Sequence, residues 1–107
     1  MRTVIRTALA YMEEHYADSI SLRSVADYVC LHPVHLSRLF HQQTGRTFQA
    51  TLTAMRMEKA RELLNGTDLK VYEVSRLAGY QKSRYFGELF KENTGLTPMA
   101  YRERARG

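Results

Sequence analysis

Apolar residues recur along this chain at three- and four-residue spacings, and nowhere do they alternate with polar ones for long enough to make a strand. The pattern predicts an all-α fold. Val4, Ile5, Ala8, Leu9 and Met12 share one face of a first helix over about Arg2 to His15. Ser21 caps a short second helix that turns Leu22, Val25, Ala26 and Val29 inward. The chain turns at Cys30, Leu31 and His32, and Pro33 opens a third helix at its favoured first position. Leu36, Leu39 and Phe40 form the buried stripe of that helix, which ends at Thr44, with Gly45 as the left-handed residue after it.

The longest helix is predicted from Phe48 to Asn65, about 27 Å at 1.5 Å per residue. Its inward positions are Leu52, Met55, Met57, Ala60, Leu63 and Leu64, and Gly66 is its stop. A short fifth helix carries Val71, Val74 and Ala78, and a turn follows from Gly79 to Gln81. The sixth helix runs from about Lys82 to Thr94, with Tyr85, Phe86, Leu89 and Phe90 as its inner stripe. Thr97 caps a seventh, opened by Pro98.

The chain repeats itself. Val74 falls on Val25 at a shift of 49 positions, whereas Leu89-Phe90, Thr94-Gly95 and Thr97 fall on Leu39-Phe40, Thr44-Gly45 and Thr47 at a shift of 50. One extra residue therefore sits in the second turn. Each repeat is a short helix, a turn of about three or four residues and a longer helix ending in Thr-Gly, which is the plan of a helix-turn-helix. The repeats are expected at about 21–45 and 70–95, joined by a linker helix at about 48–65, in a single domain. A plain seven-helix bundle would also give neighbouring helix pairs that look alike, but its solvated faces usually mix both charge signs and lack small donors beside arginine.

Composition narrows the function. Sixteen Lys and Arg against eleven Asp and Glu leave a net charge of +5 on 107 residues, which favours a polyanionic partner. The single cysteine, Cys30, excludes an internal disulfide and, in its tight turn, reads as a small buried filler. No apolar run approaches the roughly 20 residues of a membrane span, and the first residues lack the basic, apolar, small-residue order expected of a signal peptide. A cytoplasmic, nucleoid-associated protein without membrane contact is expected. His32, His35 and His41 are close in sequence, yet no carboxylate or cysteine completes a metal-ligand set at recognisable spacing. No nucleophile motif or phosphate-cradling glycine loop is present either, so neither metal, cofactor nor enzyme activity is expected.

With the stripe of the third helix turned inward, its outward face is Val34, Ser37, Arg38 and His41. Arg38 can fork onto guanine O6 and N7, Ser37 can bond a base edge or phosphate, and Val34 can pack on a thymine methyl. On the sixth helix the outward set is Lys82, Ser83, Arg84, Gly87, Glu88 and Lys91. Arg84 is the strongest base-contact candidate there, and Gly87 would let the backbone approach the groove wall. Glu88 either accepts from a cytosine amine or pairs with Arg84 or Lys91 one turn away. Base-edge candidates are thus Val34, Ser37, Arg38, Ser83, Arg84, Gly87 and Glu88. Phosphate candidates are Ser21, His41, Arg46, Lys82, Lys91, Thr97, Arg102 and Arg104, which would set affinity and not sequence preference.

Over nearly all its length the chain resembles the DNA-binding domain of the AraC/XylS family of bacterial transcription regulators. Ser21-Leu-Arg-Ser-Val-Ala through His35-Leu-Ser-Arg-Leu-Phe to Thr44-Gly is similar to the family's first helix-turn-helix, and Arg56 to Leu64 to its linker helix. Val74 through Gly79-Tyr-Gln-Lys-Ser-Arg-Tyr-Phe-Gly-Glu-Leu-Phe-Lys to Thr94-Gly-Leu-Thr-Pro-Met-Ala-Tyr-Arg follows the family signature closely. The resemblance implies two recognition helices in successive major-groove segments of double-stranded DNA, about one helical turn or ~34 Å apart, with DNA bending where they are held closer. Lys70 departs from the family's usual capping Ser or Thr, and Gly87 from its usual polar side chain.

The second half is similar to response regulators of the YesN type, which implies the C-terminal part of a longer regulator, monomeric as an isolated domain and dimerising at full length. A stand-alone regulator is the other possibility. The competing reading is a protein-interaction module that docks the same basic faces on RNA polymerase or another regulator.

Overall fold

The computed structural model describes residues 2–107, and those residues form seven α-helices and no strand. They are α1 (Thr3–His15), α2 (Leu22–Tyr28), α3 (Pro33–Thr44), α4 (Phe48–Gly66), α5 (Val71–Leu77), α6 (Ser83–Thr94) and α7 (Pro98–Arg106). The chain divides within α4 into two compact units, Met1–Met55 and Arg56–Gly107.

The core of the first unit is the sum of the helical stripes. Ile5, Ala8 and Met12 of α1, Val25 and Ala26 of α2, and Leu36, Leu39 and Phe40 of α3 are buried together with Phe48 and Leu52 from the start of α4. Phe40 and Phe48 meet edge to face, with ring centroids 6.0 Å apart. Each of the larger side chains removed from water stabilises the unit by about 1.5–3 kcal/mol, and this burial gives helices as short as α2 the support that propensity alone would not. Ser21 and Ser24 form a capping box at the start of α2, each hydroxyl accepting from the other's backbone N–H, at 3.1 and 2.9 Å.

The second unit is built from Met57, Ala60 and Leu64 of α4, Val74 and Ala78 at α5, and Phe86 and Phe90 of α6, with Tyr80 from the turn also buried. Lys70 supplies no side-chain cap to α5. Glu73 supplies the reciprocal half of a capping box, its carboxylate accepting from the Lys70 N–H at 2.9 Å, and the Glu73 N–H itself donates to the Lys70 carbonyl, also at 2.9 Å, so the start of α5 is held despite the missing Ser or Thr. α4 runs one residue past its expected end, to Gly66, and the Thr67 hydroxyl donates back to the Leu63 carbonyl at 2.6 Å.

The repeat seen in the sequence is also a repeat of hydrogen bonds. At the end of α3 the Thr44 hydroxyl contacts the Phe40 and Arg46 carbonyls at 2.8 and 3.0 Å and accepts from the Arg46 N–H. At the end of α6, Thr94 does the same with Phe90 and Leu96, at the same 2.8 and 3.0 Å. Gly45 and Gly95 follow with φ of 75° and 84°, the left-handed conformation that ends both helices. Thr47 and Thr97 then accept from the N–H groups of Ala50 and Ala100, capping α4 and α7.

Cys30 corrects the expectation of a buried filler. It is exposed, and with φ of 60° it is the sole non-glycine residue at positive φ among those described. Its counterpart 49 positions on is Gly79, with φ of 107°. The left-handed turn that redirects the backbone from α2 toward α3 swings the Cys30 side chain away from the core, so small size did not imply burial. The extra residue of the second turn lies after this point. Leu31 and Tyr80 donate equivalent bonds to Ala26 and Ser75, both at 2.9 Å, whereas α3 and α6 begin 50 positions apart.

Candidate nucleic-acid interface

α3 and α6 present outward faces that can be compared position by position. At a shift of 50, the buried residues Leu36, Leu39 and Phe40 lie on Phe86, Leu89 and Phe90, of which Leu89 is half-buried. The faces outside them pair Val34 with Arg84, His35 with Tyr85, Ser37 with Gly87, Arg38 with Glu88 and His41 with Lys91. All of these are exposed except Gly87, which is half-buried. Both helices enter from an N-cap without a Ser, Thr, Asp or Asn. His32 caps α3 through Nδ1, which accepts from the Val34 N–H at 3.2 Å, with Pro33 at the first helical position. Lys82 takes the equivalent place before α6 and makes no side-chain cap bond.

Most of the base-edge candidates stand in the open. Val34 is 51% exposed although it is apolar, Ser37 and Arg38 are exposed on the same helix, and Ser83 is exposed at the start of α6. Arg84 projects with 94% of its side chain accessible, and Glu88 Oε1 lies 3.5 Å from its Nε. Of the two partners considered for Glu88 within the helix, the structure selects Arg84.

Tyr85 corrects the expected inner stripe of α6. It is 57% exposed, and its ring packs only along the flank of Tyr80, with centroids 5.9 Å apart. Successive helical residues are 100° apart, so once Phe86 and Phe90 point inward Tyr85 falls on the shoulder, as His35 does in α3. His35 and Tyr85 are therefore two outward residues that reading each helix separately missed. The register of the repeat was the signal that could have found them, because the stripe of α3 transferred by 50 positions excludes Tyr85.

The phosphate candidates separate into two groups. His41, Arg46, Lys82, Lys91 and Arg104 are exposed. Ser21 and Thr97 are exposed too; their hydroxyls accept the capping bonds from the Ser24 and Ala100 N–H groups and keep the O–H proton for an anion. Arg102 is turned inward. Its Nε donates to the Leu64 carbonyl at 3.1 Å, near the end of α4, and one terminal nitrogen is buried without a hydrogen-bond partner. Arg106 binds the same region through Asp68 at 2.7 Å and the Thr67 carbonyl. Arg102 thus holds α7 on the end of α4 and is withdrawn from the phosphate contacts.

Charge is unevenly divided. Residues 56–107 carry eleven Lys and Arg against seven Asp and Glu, a net of +4, whereas residues 1–55 carry five against four. All four histidines lie in the first unit. No group of three or more His, Cys, Asp and Glu suited to a metal ion occurs among the described residues, and no helix there is long and apolar enough to cross a membrane.

Gly87 is open to substitution in the free protein, since a Cβ built there meets nothing within 4 Å. Gly87→Ala is expected to stabilise the domain by about 0.5–1 kcal/mol, the usual difference between the two residues inside a helix. The urea midpoint should rise; an unchanged or lower midpoint would show that the glycine is needed by the fold.

A family model described as a helix-turn-helix domain matches residues 25–104. The arabinose operon regulatory protein of Escherichia coli strain K12 is 37% identical over 99 residues, covering 92% of this chain and 34% of that protein. Among solved structures, the C-terminal domain of AraT, a response regulator from Geobacillus stearothermophilus, matches with a TM-score of 0.94 at 38% identity. That match covers 96% of this chain and 86% of the other. The C-terminal domain of the two-component response regulator yesN from Fusobacterium nucleatum matches with a TM-score of 0.89 at 35% identity, over 91% of this chain and 95% of that one. The chain spans about a third of the length of the curated relatives it matches.

Proposed function

The chain belongs to the helix-turn-helix family of AraC/XylS-type transcription regulators, a class without enzymes, and from that premise we propose that it reads double-stranded DNA through α3 and α6. The observation that carries this reading is the pair of outward faces. Two helices with the same buried stripe and the same Thr-Gly stop turn Arg38 and Arg84 into solvent, flanked by Val34, Ser37 and Ser83. An arginine able to fork on guanine, beside a small donor and an apolar group for a thymine methyl, is what a helix in the major groove requires. His41, Arg46, Lys82, Lys91 and Arg104 would bind the flanking phosphates, and Gly87 would admit the groove wall.

The chain is then the reading domain of a longer regulator of response-regulator type, monomeric in isolation, acting at the nucleoid and delivering the remainder of the protein to RNA polymerase. The similarity to C-terminal domains of response regulators, and the fraction of the relatives that the chain spans, support this placement.

Selection of duplexes from a random pool by the isolated domain, at about 100 mM salt, tests the reading. Two enriched patches are expected, one for each helix, and a pool recovered without enrichment would refute it. Arg38→Ala and Arg84→Ala should each weaken binding to the enriched site by about 1–3 kcal/mol and relax the preference at one position, in different patches. Equal weakening on every sequence would make both arginines phosphate contacts.

A further inference from the structure

The two reading helices share a frame and carry opposite charges at the same place in it. Arg38 and Glu88 are equivalent positions, and both are exposed. α3 contains no Asp or Glu, whereas α6 places Glu88 one turn after Arg84 and against its guanidinium. With side chains 94% and 67% exposed, that pair contributes little to folding. Its effect falls on what approaches from solvent. A carboxylate on a DNA-facing surface repels any phosphate brought against it, and so penalises every register except one that offers it a donor. In the major groove that donor is the amine of cytosine. The second unit also carries the larger net charge, +4 against +1, so indiscriminate attraction to phosphate is stronger in the unit that holds the carboxylate.

We propose that Glu88 is the specificity filter of the second unit. Paired with Arg84, it withholds the guanidinium from phosphates and releases it to a guanine only where a cytosine amine takes over the carboxylate. The two units then read unlike sub-sites: the first through an arginine with no acidic neighbour on its helix, tolerant of context, and the second through a charge pair that is strict. This rests on α6 being a base-reading helix.

The test is Glu88→Gln in the whole chain, with affinity measured on the selected site and on a random-sequence duplex across a salt series. The variant is expected to bind the random duplex about five- to tenfold more tightly. Its salt slope on that duplex should steepen by about one, as Arg84 gains a phosphate, and the ratio of selected to random affinity should fall at least tenfold. The urea midpoint should stay at the wild-type value. Adding Arg84→Ala should abolish the gain on random DNA. A ratio and slope equal to wild type would overturn the filter, and so would a lower ratio without tighter random binding, which would make Glu88 a base contact only. A wild-type chain with no site preference would overturn the reading of α6 and the filter together.

Discussion

Raising salt from 50 to 200 mM is expected to weaken binding of the selected duplex by about 10³ to 10⁵-fold. The physical reason is counterion release: each phosphate neutralised by Lys or Arg frees a condensed cation, so log K falls linearly with log salt at about −0.9 per contact. Arg46, Lys82, Lys91 and Arg104 are exposed phosphate candidates, Arg38 and Arg84 carry two more positive charges to the groove, and with His41 and the helix N-termini about six to ten contacts are reasonable. A slope between about −5 and −9 is then expected, measurable by fluorescence anisotropy on a labelled duplex. The competing use of these faces, docking on another protein through an interface with an apolar centre, predicts a much shallower response. A slope near −1 or −2 would therefore favour the interaction module over the reader. Arg102 supplies a control within the same series. Because its guanidinium is committed to the Leu64 carbonyl, Arg102→Met should leave the slope unchanged while lowering stability.

The largest effect on the fold is expected at Phe90. It is fully buried between Phe86 and Tyr101, with ring centroids 5.7 and 5.3 Å away. Phe90→Ala removes these contacts and leaves a cavity that the flanking helices close only in part, at a cost of about 3–5 kcal/mol. A small domain has about 5–15 kcal/mol in total, so the urea midpoint should drop by about a fifth or more with the slope of the transition unchanged. Tyr85→Ala is the informative comparison. Apolar periodicity puts both aromatics in one stripe, yet Tyr85 is 57% exposed and should cost less than about 1 kcal/mol. Equal losses at the two positions would contradict the burial pattern of α6.

Much of this fold was legible in the sequence because it is decided over three or four residues. Helical stripes, Ser21 and Thr97 as caps, Pro33 and Pro98 at first positions, and Gly45 and Gly95 as stops all act through bonds within a turn of their own helix. The Thr44 and Thr94 networks show why the Thr-Gly pair recurs: the hydroxyl closes the last turn and the glycine permits the reversal after it. The outward arginines were legible for the same reason, since a stripe that is fixed inward fixes the opposite face outward.

What escaped the sequence depends on packing and turn geometry that the helical period does not specify. Tyr80 reads as a turn residue, but it is buried because α5 and α6 close over that turn and Arg56 lies over its ring at 5.2 Å. Ser75 is polar and buried because a carbonyl from the same turn accepts its hydroxyl at 3.2 Å. Arg102 reads as a surface cation until the end of α4 supplies it with a carbonyl 38 residues away. Cys30 and Tyr85 have the composition of core residues and point outward, one because its backbone is left-handed, the other because Phe86 and Phe90 already occupy the inward face. By itself the sequence determined the helices, nearly all of their ends, the repeat and most of the outward faces of α3 and α6, since those follow from local hydrogen bonding and helical period. Only the tertiary structure decided which of several adjacent apolar or charged side chains each unit takes inside, because that choice is made by packing against residues that the local pattern does not contain.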